Sequence, residues 1–322
     1  MHRIAPLLVA PMLALLATPV ATAQPTGPDS SQPAPFAFEE PAEEAARRPD
    51  KFSLSVSYRP LTRFTADLDA SSGNYSVTSH PIAIRFDYAA TQNLRLNFGV
   101  EGEISNYDFD DASTLIPGTA NPFDDVYAIR FNVGGFYRFD DTWSALVTGF
   151  IGSGFEEDAD FGDGLQGGGV AGVLYNFSPS LTLGGGVVVS SRIEDDPLIV
   201  PYVYVKWDIT DRWTLQTEGL GLELIYDIDE QFSIYAAGGF DRREFVLDDD
   251  GPLPEGIVRD RAVLVGGGFR IEPNALPGLS LSIDAGAVVY QEFEILDRDG
   301  DDFRELESDP TGYLGVSLRY RF

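Results

Sequence analysis

The chain contains no cysteine, so it has no disulfide framework, no lipidated N-terminal cysteine and no thiolate metal site. Histidine is nearly absent too, with two residues in 322. One of them, His2, stands ahead of the N-terminal apolar run, in the segment expected to be cleaved, so zinc binding or histidine catalysis would rest on His80 alone. Basic residues are scarce: 22 Lys and Arg stand against 51 Asp and Glu, for a formal net charge of −29. Phosphate binding needs the opposite surplus, which excludes a nucleic-acid surface. Beyond the N-terminus no apolar run approaches the roughly 20 residues of a membrane-spanning helix, which excludes an α-helical membrane protein.

The one long apolar run, Leu7 to Val20, follows His2 and Arg3 and precedes Ala21-Thr22-Ala23. That is the layout of a secretory signal peptide over 1–23, with cleavage expected before Gln24. Residues 24–51 carry Pro25, Pro28, Pro33, Pro35, Pro41 and Pro49 among Ala, Ser and Glu. They show neither helical nor strand period and are expected to form a disordered periplasmic leader.

From Phe52 onward the chain alternates. Phe52, Leu54, Val56 and Tyr58 interleave with serines and Arg59; Ile82, Ile84, Phe86 and Tyr88 with Ala83, Arg85 and Asp87; Leu94, Leu96, Phe98 and Val100 with Arg95, Asn97, Gly99 and Glu101. A period of two with one apolar face predicts strands. Short connections near 91–93, 140–141, 178–180, 210–211, 229–230 and 273–274 alternate with longer ones at 66–75, 105–124, 156–164, 194–197, 219–221, 246–258 and 294–310. Short periplasmic turns and long outer loops are the rule for transmembrane barrels. The expected fold is therefore all-β: one antiparallel transmembrane β-barrel over 52–322, of 12–14 strands and 14 on this segmentation, with both ends periplasmic. Trp213 to Ile228 must hold two strands and a turn, a short hairpin that would leave the wall low at that place.

Parity then sorts side chains. Charges facing lipid cost up to a few kcal/mol, so Arg59, Arg85, Asp87, Arg95, Glu101, Glu103, Arg130, Lys206, Glu218, Glu223, Asp284 and Arg319 are expected in the lumen. Trp143, Trp207 and Trp213 each stand beside a short turn and predict an interfacial aromatic girdle. The last stretch, Gly312 to Phe322, puts Leu314, Val316, Leu318, Tyr320 and Phe322 on one face. It resembles the closing strand of a bacterial outer-membrane barrel. That resemblance implies an assembly signal at Tyr320 and Phe322 read by the barrel-assembly machinery. Together with Tyr137 to Trp143, Gly152 to Glu157 and Ser190 to Pro197, it resembles a family of uncharacterised outer-membrane barrel proteins of Gram-negative bacteria. This implies outer-membrane localisation among lipid and lipopolysaccharide, and brings no catalytic residue.

Two functions stay open for the lumenal charges: lining a water-filled path, or pairing across the lumen and filling it. Fourteen strands leave room unless a segment folds inward. This favours a passive channel for small hydrophilic solutes over a non-conducting structural or surface-interaction barrel acting through acidic loops. Because the acidic loops would gather at the outer mouth, a weak cation preference is expected. No cofactor is expected. Asp297, Asp299 and Asp301 could hold Ca²⁺ or Mg²⁺ weakly, but they depart from calcium-loop spacing, and a solvated loop explains them as well. Ser79 beside His80 raises a lipid-modifying enzyme only faintly, since adjacent strand residues point to opposite faces; an enzyme is not expected.

Overall fold

The computed structural model describes residues 51–69 and 73–322, so the signal peptide and nearly all of the leader lie outside the described residues. Every regular element among them is a strand. In chain order these are β1 (Phe52–Tyr58), β2 (Leu61–Asp67), β3 (Asn74–Ser79), β4 (Ile82–Ala89), β5 (Leu94–Asp110), β6 (Asp125–Arg138), β7 (Trp143–Glu156), β8 (Leu165–Ser178), β9 (Leu181–Arg192), β10 (Asp195–Thr210), β11 (Trp213–Glu218), β12 (Gly221–Asp227), β13 (Phe232–Val246), β14 (Ile257–Ile271), β15 (Leu279–Leu296), β16 (Asp302–Glu307) and β17 (Thr311–Arg321).

Seventeen strands make fourteen staves. Pro60 separates β1 from β2, Pro81 separates β3 from β4, and Pro310 separates β16 from β17, because proline removes a ladder donor and fixes φ. Each pair still follows one course through the wall: β4 and β3 both pair with β5, and β15 pairs with both β17 and β16. The seam closes where β1 meets β17, with Ser55 opposite Arg321 and Tyr58 opposite Leu318. The result is a closed antiparallel barrel of fourteen staves.

Outside, the predicted parity holds. Ile82, Ile84, Val147, Ile151, Val203, Leu314 and Val316 are exposed, which in water would be a large apolar patch and in a bilayer is the lipid-facing belt. At the short-turn end the belt is edged by aromatics. Trp143 meets Tyr175 edge-on at 4.7 Å, Trp213 lies 4.8 Å from Tyr226, and Tyr320 lies 4.6 Å from Phe322. Trp207 is exposed at the same level. The Phe322 amide bonds Leu54 O across the seam. The protein is a transmembrane β-barrel.

Several expected loops shrink: β2 and β3 run to Asp67 and from Asn74 within 66–75, and β10 starts at Asp195 within 194–197. β5 runs to Asp110, inside the predicted 105–124 loop, and β16 occupies the middle of the predicted 294–310 loop. Acidic side chains hid these strands from a reading based on one apolar face. Beyond the bilayer a strand needs no such face. The short hairpin is present: β11 and β12 have six and seven residues, and the chain turns at Gly219, whose φ of +60° suits glycine.

Candidate functional site: the lumen and its outer closure

The low hairpin determines what its neighbour does. β12 pairs with β13 only as far as Leu222 opposite Gly238. Residues 239–246 of β13 therefore have a ladder partner in β14 but none in β12. Here the sequence carries charge on both parities, as Asp241-Arg242-Arg243-Glu244 and, on β14, Arg259-Asp260-Arg261. No lipid-facing wall strand can do that. The upper β13–β14 hairpin instead turns into the barrel and is buried on both faces: Arg242, Phe245, Ile257, Val258, Arg259 and Asp260 are all at most 1% exposed. Its end reaches β7, with Val246 beside Phe155. In the ring β7 is fifth and β13 eleventh, so this contact spans the barrel.

One face of the hairpin meets the staves made by β1 to β5. Asp260 accepts bonds from Arg63 at 3.0 and 3.2 Å, from the Tyr107 hydroxyl at 2.8 Å and from Gln291 at 2.6 Å. Arg63 also pairs with Asp241. Arg243 donates to Glu103 at 2.6 Å, to Asp241 at 3.0 Å and to Ser79 at 2.8 Å. The other face meets the β9–β10 turn. Arg259 reaches Glu244 at 3.0 Å, Glu294 at 2.9 Å and Asp195 at 2.9 Å, and the Ile193 amide donates to Glu244 at 3.1 Å. Buried charges need this degree of pairing, because an unpartnered one carries its full desolvation penalty.

Above the ionic layer lies an apolar one. Leu115, Ile116 and Phe123 from the loop after β5 pack with Tyr75, Tyr107, Phe245, Val258 and Phe293 into one buried cluster. Glu156 accepts the amides of Asp124 at 3.1 Å and Asp248 at 2.9 Å, joining that loop to the one after β13. The outer end is thus closed by a packed core. The expected cation-attracting mouth of acidic loops presupposed an open entrance; the structure puts buried side chains there, and that preference loses its basis.

Beneath the hairpin is a cavity of about 490 Å³. Of the twelve residues assigned to the lumen by parity, Arg59, Arg85, Glu101, Glu103, Arg130, Glu218 and Arg319 line it. Arg59 stands 3.8 Å from Glu218, Asn132 donates to Glu101 at 3.1 Å, and Arg130 lies over the Phe150 ring at 5.0 Å. The other five do not line the cavity. Glu223 accepts from Arg270 at 2.7 Å and Gln216 at 2.9 Å, and Asp284 accepts from Tyr235 at 3.4 Å. Asp87, Arg95 and Lys206 sit closer to the short-turn end, on β4, β5 and β10. On the inner faces of β7 to β10, Leu146, Phe150, Val170, Leu174, Val188, Tyr202 and Tyr204 form a second, apolar cluster that Leu220 of the hairpin turn packs against.

The remaining candidates are scattered. Ser79 is held by Ser105 at 3.1 Å and Arg243, while His80 Nδ1 shares a 2.9 Å hydrogen bond with Tyr58 on another side, so the two are not a nucleophile and its base. The Asp297 carboxylate accepts the amides of Asp299 and Asp301, both at 3.0 Å, which caps a turn. Among the described residues no three acidic or histidine side chains gather as a metal would require. Parity reasoning missed Arg63, Asp241, Arg243, Glu244, Arg259 and Asp260. The signal that could have found most of them is the unbroken run of charges, which breaks the period of two.

Residues 69–321 match a family model described as a domain of unknown function, DUF6268. No curated protein matches the sequence. Among solved structures, the chain is similar to an outer membrane channel from Pseudomonas putida F1, at 13% identity over 84% of this chain and 95% of that one, with a TM-score of 0.44. It is also similar to the toluene transporter TbuX of Ralstonia pickettii, at 11% over 92% and 96% with a TM-score of 0.39. A third is LpxR from Salmonella typhimurium, at 10% over 83% and 99% with a TM-score of 0.33. Similarity at that level bears on neither substrate nor activity.

Proposed function

We propose, for a chain that belongs to the DUF6268 family and so inherits no assigned activity, that it is a passive solute channel that rests closed at its outer end. The observation that carries this reading is the cavity: a space of about 490 Å³ lined by charges of both signs, held directly beneath the upper β13–β14 hairpin, which is not part of the wall. A barrel built only as a scaffold gains nothing from charges kept around an unfilled space, since pairing them off or replacing them with apolar side chains is as stable or more so. The mixture of signs suits small hydrophilic or amphipathic solutes rather than one ion type.

Planar-bilayer recording tests it. The unaltered protein is expected to show long closed periods broken by brief unitary steps, because opening requires the hairpin's ion pairs to part. Replacing Arg243 with Gln removes the bonds that tie β13 to Glu103 and Ser79 and is expected to raise the open fraction at least tenfold. The complete packing of the outer end favours a second reading, a non-conducting surface barrel. Silence from both proteins would support that one.

A further inference from the structure

We infer that the notch above the short hairpin is a lateral door between the lumenal cavity and the outer leaflet, and that it admits amphipathic anions, molecules with an apolar tail and an acidic head. The inference rests on the channel reading above and names its route and its class of solute.

Height comes first. Glu218 is five residues above the girdle residue Trp213, which at about 3.3 Å per residue and a tilt of about 40° places the hairpin turn roughly 13 Å into an apolar belt about 25 Å tall. The wall therefore stops near mid-bilayer between β10 and β13. β10 pairs with β11 only from Lys206 downward, and above that the Thr217 hydroxyl bonds Val205 N at 2.9 Å and Val203 O at 3.4 Å, so the stretch from Leu198 to Tyr202 has a ladder partner, β9, on one edge alone. An open sheet edge is not tolerated against hydrocarbon unless it lines a cavity or is covered. Pro201, a residue that sheets accept on edge strands, stands in this stretch.

Continuity comes second. The cavity lining includes Gly219 at the turn and Gly239 and Phe240 just past the end of β12, while Phe240 is also 45% exposed on the outside. The cavity thus extends to the foot of the notch, with Phe240 at its rim. The solute class follows from what flanks it. Nearest the notch are the apolar cluster and Leu220. Deeper, Arg59 just after β1 and Arg85, Arg130 and Arg319 on β4, β6 and β17 face Glu101 and Glu218, while Glu103 is engaged by Arg243. A tail entering sideways meets apolar walls first, and its acidic head then meets an excess of arginine, which binds carboxylates well through its fork of donors.

The test uses the full chain in phospholipid vesicles. Since the protein has no cysteine, Ser57→Cys on the cavity wall can carry a single fluorophore. The probe is dodecanoate with a bromine on its last carbon, delivered in the vesicle lipid; the control is the same tail on a trimethylammonium head. Quenching by the carboxylate is expected at concentrations at least tenfold below the control, and Arg85→Gln with Arg130→Gln should remove that preference. Gly239→Trp fills the notch, because a Cβ there meets nothing closer than Gly221 Cα at 3.4 Å. It should slow quenching at least tenfold while leaving its final extent unchanged, and Leu220→Trp should do the same. Folded barrel is selected by heat-modifiable migration on a gel. Unchanged rates in both blocked variants, or equal quenching by the two heads, would overturn the inference while leaving bilayer conductance to stand. Loss of conductance as well would remove the channel reading itself.

Discussion

Excising residues 241–262 and joining Phe240 to Val263 through an Asn-Gly turn is expected to convert a barrel that is mostly closed into one that conducts continuously. Phe240 and Val263 are direct partners across the β13–β14 ladder, so a two-residue turn closes them without altering register. The excision takes out both sides of the Arg242–Glu244, Arg243–Asp241, Arg243–Asp260 and Arg259–Glu244 pairs, and one side of those made by Arg63, Glu103, Asp195, Glu292 and Glu294. Arg63, Glu103 and Tyr107 then face water instead of an apolar interior, and hydration replaces their lost partners. The apolar cluster loses Phe245, Leu247 and Val258, so the loop that carries Leu115 and Phe123 should become sensitive to protease, while the staves below keep their ladders. Planar-bilayer recording is the measurement. Steady unitary steps whose size rises in proportion to salt are the expected result, with open probability near one. A variant that assembles, migrates as a folded barrel and stays silent would mean that something other than this hairpin closes the lumen.

The stave count, the antiparallel closure and the short hairpin were legible because lipid imposes a strict rule: wherever a strand meets hydrocarbon, charge can occupy only one parity. Trp213 to Ile228 was too short for two full spans, and that alone located the notch. The same rule is silent where the chain leaves the bilayer. β5 beyond Ile104, β16, and the upper halves of β13 and β14 obey no single-face pattern, so acidic residues there look like loop. Seven cavity-lining residues could be named from parity because six lie on wall strands and Arg59 directly follows one. Arg63 could not: it follows Pro60, where the register between β1 and β2 is interrupted, and its partners Asp241 and Asp260 lie almost 200 residues away. Long-range pairing of that kind leaves no local trace, except that Asp241-Arg242-Arg243-Glu244 and Arg259-Asp260-Arg261 put charge on both faces of what should be a wall. A stretch with that pattern between two amphipathic halves of a barrel strand marks a segment that has left the wall for the interior.

Replacing Asp260 with Ala is expected to be the most damaging single change in the lumen. The carboxylate is wholly buried and accepts from three residues. Its loss leaves the buried Arg63 guanidinium with Asp241 as its remaining carboxylate, on which Arg243 also draws, and leaves the Tyr107 hydroxyl and the Gln291 amide without this acceptor. Removing one member of a buried ion pair costs about 3–5 kcal/mol, and unsatisfied donors add about 1–3 kcal/mol each. The surviving Asp241 contact should hold the total near the lower end of the combined range. Asp260→Asn keeps a carbonyl acceptor but loses the charge, so an intermediate cost is expected. The pair Arg63→Met with Asp260→Leu removes both charges together and should recover much of the loss, because apolar replacement of a buried pair is often neutral or better. Denaturant unfolding followed by tryptophan fluorescence and by gel migration measures all three. The expected order of midpoints is unaltered protein, then double variant, then Asn, then Ala, with the Ala variant also showing frequent opening in bilayers. A midpoint for Asp260→Ala equal to that of the unaltered protein would mean that apolar packing, from Tyr75 to Phe293, holds the hairpin in the lumen without help from the ionic layer.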